Sequence, residues 1–407
     1  MNDLFYRLKN LPYYLCPAFI MSAVVIFLIN LITLIPGERF SSLYNGFFSG
    51  ISALFAFAAA GLICYAVSKN TKKALASGFC ILLFDLVLFS LCNVHISFAV
   101  AVILSLVFAF VYGKNDFYPA FFACSLLSLV LALCVGLSYD FLYSALKSFC
   151  LGLKGRGALF GTVNNLYSIL FSDNLEKLFY HKDYSGTAFV DGKIVSGVMD
   201  VFSAQGIAGI NASKFLSGKY FVNIFLSVGI FSLIFPRLDR EGKAAVFLCL
   251  LNAVVFGDTR LFALFVLVFN PLMYFGYLLL VFLSYFFANL LDIRMMFFRQ
   301  GSLIEMFKYM DKPFYFLLAG AVLAVLSFFV ENIIISKFDF QSKRILPYEV
   351  RKIVNSLGGE SNIERINKGE LLVKNPNLIN ILNLDCEIRG NRVKLLYDDL
   401  EKLKQFL

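Results

Sequence analysis

Asp258 and Arg260 stand two residues apart in GDTRLFALFVLVFNP, residues 257–271, directly before a long apolar run. A carboxylate only accepts hydrogen bonds, whereas a guanidinium presents five donors in a rigid fork that fits carboxylate or phosphate. Two chemistries follow. Either the two side chains pair and hold a turn, or Arg260 offers its fork to an anionic ligand with help from Thr259 and the amides near Gly257. The medium decides how much weight the pair carries, because an ionisable residue at membrane depth is a functional-site candidate by default.

Composition sets that medium. The chain is 59% hydrophobic and 15% charged, with 48 Phe in 407 residues, far outside what a water-soluble domain exposes. Apolar runs exceed the about 20 residues that cross a bilayer. They predict spans near 11–35, 42–67, 74–93, 96–112, 118–142, 220–235, 261–290 and 313–335. The first is too long, and lacks the small-residue cleavage site, to be a removable signal peptide. Arg7, Lys9, Lys69, Lys72, Lys73 and Lys114 fall in alternate connections, and Lys337, Lys343 and Arg344 follow the last span. By the positive-inside rule both termini lie in the cytoplasm. The net charge of +9 then reflects topology and attraction to anionic lipid head groups, and no nucleic-acid partner is implied.

Other reactive side chains point elsewhere. Cys16, Cys64, Cys80, Cys92, Cys124, Cys134 and Cys249 lie in or beside apolar spans without a CxxC pair, which reads as packing by small hydrophobes. His95 and His181 have no partners at metal spacing, so neither a metal nor another cofactor is expected. Asp85, inside ILLFDLVLF, is costly in lipid and must face a neighbouring helix or a cavity. Residues 143–219 are Gly-rich and only intermittently apolar, 243–257 are too short to span, and 291–311 are amphipathic. Broken elements at membrane depth survive where they are buried in protein or line a polar cavity, and transporters place substrate sites there. For 143–219 a large extramembrane loop is the other reading. After Ser336 the chain turns charged. LPYEVRKIVNSLGG predicts a helix with Pro347 in its first turn and Gly358 ending it. GELLVKN and the pair CEIR and GNRVKLLYD predict strands, the last two joined near Gly390 and Asn391, and DDLEKLKQFL predicts a closing helix.

Three membrane stretches and one in the tail resemble the glucose/N-acetylglucosamine branch of the phosphotransferase-system permeases, a membrane IIC domain followed by a cytoplasmic IIB domain. GTVNNLYSILF, from Gly161, is similar to the segment that begins Val-Asn-Arg and leads to a His-His pair. GINASKFLSGKYFVNIFLSVGIFSLIFPRLDREGKAAV resembles the Ala-Gly-Arg-Phe-Met-Ala-Gly-Phe-Phe-Pro region and its following helix. GDTRLFALFVLVFNPLMY aligns without gaps to the Gly-Ile-Thr-Glu-Pro-Ile-Glu-Phe segment and the Ala-Pro-Leu-Leu-Tyr after it. VNSLGGESNIERIN is similar to the Gly-Gly-x-x-Asn-Ile before the phosphorylated cysteine. The likeness spans nearly the whole chain, although every motif is altered.

The departures carry chemical meaning. Gly257 and Thr259 match the sugar-site motif, but its sugar-binding glutamate becomes Arg260, its proline Leu261 and its second glutamate Ala263. The histidine pair, counted from Asn164, falls on Asp173 and Asn174, and His181 would substitute only with an insertion. The cysteine position is Gly369, which cannot carry a phosphoryl group. Cys386 is the only tail cysteine and sits beside Asp385 and Glu387, where like charge opposes the thiolate that such transfer needs.

The resemblance therefore implies an all-α polytopic membrane domain, residues 1–336, of about eight spans plus re-entrant hairpins. A small α/β cytoplasmic domain, 343–407, without the acceptor cysteine, follows it. It implies a homodimer in the bacterial cytoplasmic membrane, in contact with lipid. Gly257, Asp258, Thr259, Arg260, Asn164, Asp173 and Asn174 would bind a sugar or a sugar-derived solute at a hairpin, 243–257, tipped by Asp258 and Arg260. Polar residues such as Asn164, Asp173, Asn174, Gln205 and Asn211 equally suit a water-filled vestibule. Replacing the glutamate by Arg260 turns the expected preference toward a sugar phosphate or sugar acid. Three functions compete: a permease that does not phosphorylate its solute, a non-transporting sensor whose tail binds cytoplasmic phosphotransfer proteins, and a phosphotransferase served by a separate IIB.

Overall fold

Without water to bond, a backbone in hydrocarbon pairs with itself, and the apolar runs accordingly form helices. The computed structural model describes residues 11–33, 38–68, 70–92, 94–153, 156–171, 174–179, 187–190, 192–205, 216–295, 301–309, 312–337, 353–358, 362–367, 370–379, 386–395 and 403. Two compact units divide the chain, Arg7–Lys343 and one built on Arg344–Leu407.

In the first unit the helices are α1 (Leu11–Thr33), α2 (Glu38–Ser68), α3 (Thr71–Cys92), α4 (Phe98–Lys114) and α5 (Phe117–Gly152). Then come α6 (Gly157–Phe171), a 3-10 turn Leu175–Phe179, a hairpin of β1 (Thr187–Val190) and β2 (Lys193–Ser196), and α7 (Val198–Gln205). The second half holds α8 (Gly218–Arg237), α9 (Arg240–Leu251), α10 (Arg260–Phe269), α11 (Pro271–Leu290), α12 (Leu303–Tyr309) and α13 (Pro313–Lys337). Among the described residues six helices are long and apolar enough to cross a membrane: α3, α5, α8, α11, α13 and the Leu11–Leu31 part of α1. Their outer faces are apolar. Tyr118, Phe122, Leu137 and Phe141 of α5, and Phe314, Val325 and Phe329 of α13, are exposed, a surface that hydrocarbon covers without cost.

Several expectations change. Residues 261–290 are two helices, not one span, because Asn270 leaves helical geometry and caps α11 by accepting from the amides of Leu272 and Met273, while Pro271 has no N–H to continue α10. The span expected at 118–142 extends to Gly152, 36 residues in all. The described residues of 143–219 hold the end of α5, helices α6 and α7, and a β-hairpin. That hairpin departs from an all-α domain. Its strands pair from Thr187 with Ser196 to Val190 with Lys193, and Gly192 stands between them at φ 77°, a conformation that favours glycine. Of 291–311 only α12 is helical among the described residues.

Asp85 is buried as expected, accepting from the Ile96 amide at 2.6 Å and meeting His95 Nδ1 at 3.0 Å. Cys16, Cys64, Cys80, Cys124 and Cys249 are buried, whereas Cys134 is exposed on α5.

The second unit contains a four-stranded antiparallel sheet in the order β3-β4-β6-β5, formed by Ile363–Asn367, Glu370–Val373, Arg392–Leu395 and Cys386–Arg389. Leu371, Val373, Val393 and Leu395 alternate onto its buried face and pack with Ile353, Val354 and Leu357. Gly358 ends the described helical turn at φ 88° and Gly390 turns β5 into β6 at φ 59°. Strand β3 was not expected. Of the closing helix expected at DDLEKLKQFL only Leu403 is described, helical and buried in that core, and the position of Gly369 lies outside the described residues.

Around the site, α6 and α8 both close on Tyr285 of α11. A Cβ on Gly218 would overlap the Tyr285 backbone, and one on Gly161 its ring. Gly218→Ala therefore has to separate α8 from α11. Overpacking of this kind costs about 1–3 kcal/mol, and thermal unfolding of the purified protein should show a lowered midpoint. An unchanged midpoint would mean that the two helices are not held at this distance.

Candidate functional site

The hairpin that carries Asp258 and Arg260 is built from α9 and α10. At its tip the last turn of α9 widens into a π-helical stretch, Asn252–Phe256, and Gly257 reverses the chain at φ 79° and ψ 11°. A side chain there would be strained, so glycine is the residue that lets the two half-length helices meet. The amide of Asp258 donates back to the Asn252 carbonyl at 3.1 Å. Asn252 in turn donates to the Ala23 carbonyl of α1 at 2.9 Å, which ties the tip to the first helix.

Arg260 and Asp258 face one another as a fork. Nε donates to Oδ1 at 2.9 Å and Nη2 to Oδ2 at 2.8 Å, and the Arg260 amide reaches Oδ1 at 3.2 Å. Both side chains are buried, 9% and 3% exposed. Such a bidentate pair, with the carboxylate also set at the start of α10, is the strongest geometry the two groups can adopt. Of the two readings the sequence offered, the structure shows the internal pair, with Asp258 holding Nε and Nη2 of Arg260.

A second buried pair lies beside the first. Lys219, in the first turn of α8, donates to Glu176 of the 3-10 turn. Glu176 also accepts from Asn164 Nδ2 at 3.0 Å, and Asn164 Oδ1 accepts from the Leu175 amide at 2.8 Å. Lys219 is near enough to act electrostatically on Asp258, so the two pairs form one cluster. Its two carboxylates and two cations cancel.

Neutral groups complete it. Asn165 donates to the Tyr277 hydroxyl at 3.1 Å and accepts from that of Tyr274 at 3.5 Å. The Tyr277 hydroxyl also meets the side chain of Thr259. Alongside Lys219, α8 has its own π-helical turn, Phe221–Leu226, from which Asn223 donates to the Gly301 carbonyl at 2.8 Å. The two π-helical segments pack against each other, and such segments concentrate at functional sites.

Of the residues expected from sequence, Gly257, Asp258, Thr259, Arg260 and Asn164 come together. Asn174 is half-buried before the 3-10 turn, and none of these hydrogen bonds involves it. Gln205 is exposed at the end of α7. Asp173, His181 and Asn211 lie outside the described residues. Sequence reasoning missed Asn165, Glu176, Lys219, Tyr274 and Tyr277. For Lys219 a signal was present, a lysine inside the apolar run GKYFVNIFLSVGIF, by the same logic that singled out Arg260.

The chain matches no protein-family model and no curated protein. The resemblance to phosphotransferase permeases therefore rests on the quoted stretches alone.

Removing one partner of a buried ion pair strands the other charge, at about 3–5 kcal/mol. Lys219→Met and Glu176→Gln should each lower the unfolding midpoint sharply, and the double variant should recover most of the loss. Additive losses in that cycle would show that the two groups do not act as a pair.

Proposed function

We propose that the protein is a permease for a neutral, polyhydroxylated solute, a sugar or sugar derivative, which it moves without phosphorylating. It would act in the bacterial cytoplasmic membrane with both termini in the cytoplasm. One observation carries this reading: a buried, charge-balanced polar cluster assembled on interrupted helices within an apolar bundle. Discontinuous helices at membrane depth are where transporters bind their solutes. Keeping four charges there is expensive, and neither pair contributes stability that apolar packing would not match.

The chemistry favours a neutral ligand. With Arg260 engaged by Asp258 and Lys219 by Glu176, the cluster offers no net charge to a phosphate or carboxylate. What it presents is an alternation of donors and acceptors from Asn164, Asn165, Thr259 and Tyr277, and amide and hydroxyl groups of this kind pair with sugar hydroxyls. The altered acceptor position in the tail fits movement of the solute without phosphoryl transfer, since glycine has no nucleophile.

Calorimetry with neutral hexoses, sugar phosphates and sugar acids tests the reading. A neutral hexose should bind best, and Arg260→Gln should weaken it by more than tenfold, about 1.4 kcal/mol or more. A sugar phosphate that binds best, or hexose affinity untouched in Arg260→Gln, would overturn it.

A further inference from the structure

Glu331 plays no part in the cluster, yet it is the most isolated charge-bearing side chain of α13. It is fully buried, and among the described residues neither carboxyl oxygen has a hydrogen-bond partner. The carboxyl group lies flat on α11 at Gly276. A Cβ at that glycine would stand 2.8 Å from Oε1 and 3.1 Å from Oε2, and 2.6 Å from Ile334 Cδ1. The missing side chain of Gly276 is therefore the slot that receives the acid.

Among the described residues, the elements packed on it supply no counter-charge. In α8, the stretch Ser227–Ile234 and the π-helical turn Phe221–Leu226, both packed on α13, contain no ionisable residue. Arg237 at the end of α8 donates to the Leu233 carbonyl at 2.5 Å and to Asn332 Oδ1 at 3.2 Å, not to Glu331. From α11 the titratable groups are Tyr274, Tyr277 and Tyr285, and the first two bond Asn165 on another face. On α13 itself the others are Tyr315 and Lys337. A buried ionised carboxylate without a partner is not tolerated in such a place, and the group keeps its proton instead.

We propose that Glu331 is a proton-binding site: it holds a proton while α11 and α13 are closed on it, and yields it to water when they part. In that step the carboxyl O–H bond breaks, the electron pair stays on the oxygen, and a water molecule takes the proton. Gly276 and Tyr277 are consecutive in α11, so the helix that seals Glu331 also anchors Asn165 and Thr259 in the polar cluster. A movement of α11 is felt at both places. This deepens the permease reading, on which it rests for its consequence: the proton is the ion whose release and uptake accompany solute movement.

Infrared spectroscopy of the purified protein in liposomes tests the site without any solute. A protonated carboxyl gives a carbonyl stretch above the amide bands. At neutral pH this band should be present in the wild type and missing in Glu331→Gln, whose amide mimics the protonated acid and preserves the fold. It should move to lower frequency in deuterium oxide and disappear as the pH is raised. Glu331→Asp supplies a second check, because the shortened acid leaves the slot and its band should move. Identical spectra for wild type and Glu331→Gln at neutral pH would overturn the proposal. So would a band that neither shifts in deuterium oxide nor titrates, since the acid would then be sealed and inert. Because no sugar is involved, failure here leaves the calorimetric result standing, and failure of sugar binding leaves this one standing.

Discussion

Polar groups placed in hydrocarbon must find partners inside the protein, and the architecture of the second half of the chain follows from that constraint. At the hairpin tip the constraint is met by the Asp258–Arg260 fork, with bonds of 2.8 and 2.9 Å. The fork caps α10, holds the reversal at Gly257, and lets α9 and α10 stay shorter than the bilayer. Around it Lys219, Glu176 and Asn164 satisfy one another in the same way, drawing α6 and α8 to the same place. Interrupted helices and buried charges are thus two aspects of one arrangement, since each interruption leaves polar groups that the charges help to satisfy.

Interruption also gathers the irregular backbone of this half in one place. Two π-helical segments, Phe221–Leu226 and Asn252–Phe256, face each other next to the cluster. Each carries an asparagine that ties it to a distant backbone carbonyl, Asn223 to Gly301 and Asn252 to Ala23. A π-turn holds fewer satisfied ladder bonds than an α-turn, and a small change of register there shifts a whole helix. α11 links these parts, with tyrosines toward the cluster and Gly276 toward Glu331.

The sequence was most legible where apolar length alone decides. Long uncharged runs become helices whatever their neighbours, and Asp85 had to be buried because lipid offers it nothing. The tip was legible for the same reason, an aspartate and an arginine in a greasy run. What escaped was local chemistry overridden by the strength of the apolar signal. Asn270 and Pro271 form a stop and a start that the hydropathy of 261–290 conceals. Gly192 turns a hairpin hidden in a Gly-rich stretch. Glu176 and Lys219 are 43 residues apart, and only the packing of α6 and α8 on α11 brings them together. For Arg260 the sequence left two readings, a turn-holding pair or a fork offered to an anion, because it gives the spacing of donor and acceptor but not their geometry.

Entrance counterflow in proteoliposomes tests most directly whether the cluster is a solute path. Vesicles containing only this protein and preloaded with an unlabelled neutral hexose are diluted into the labelled sugar. For at least one of a panel of hexoses the wild type should accumulate label transiently, while the doubly neutralised variant Asp258→Asn with Arg260→Gln, which keeps the shape of the tip but not its charges, should not. Equal counterflow by the two proteins would contradict the account, as would a wild type that moves none of the panel.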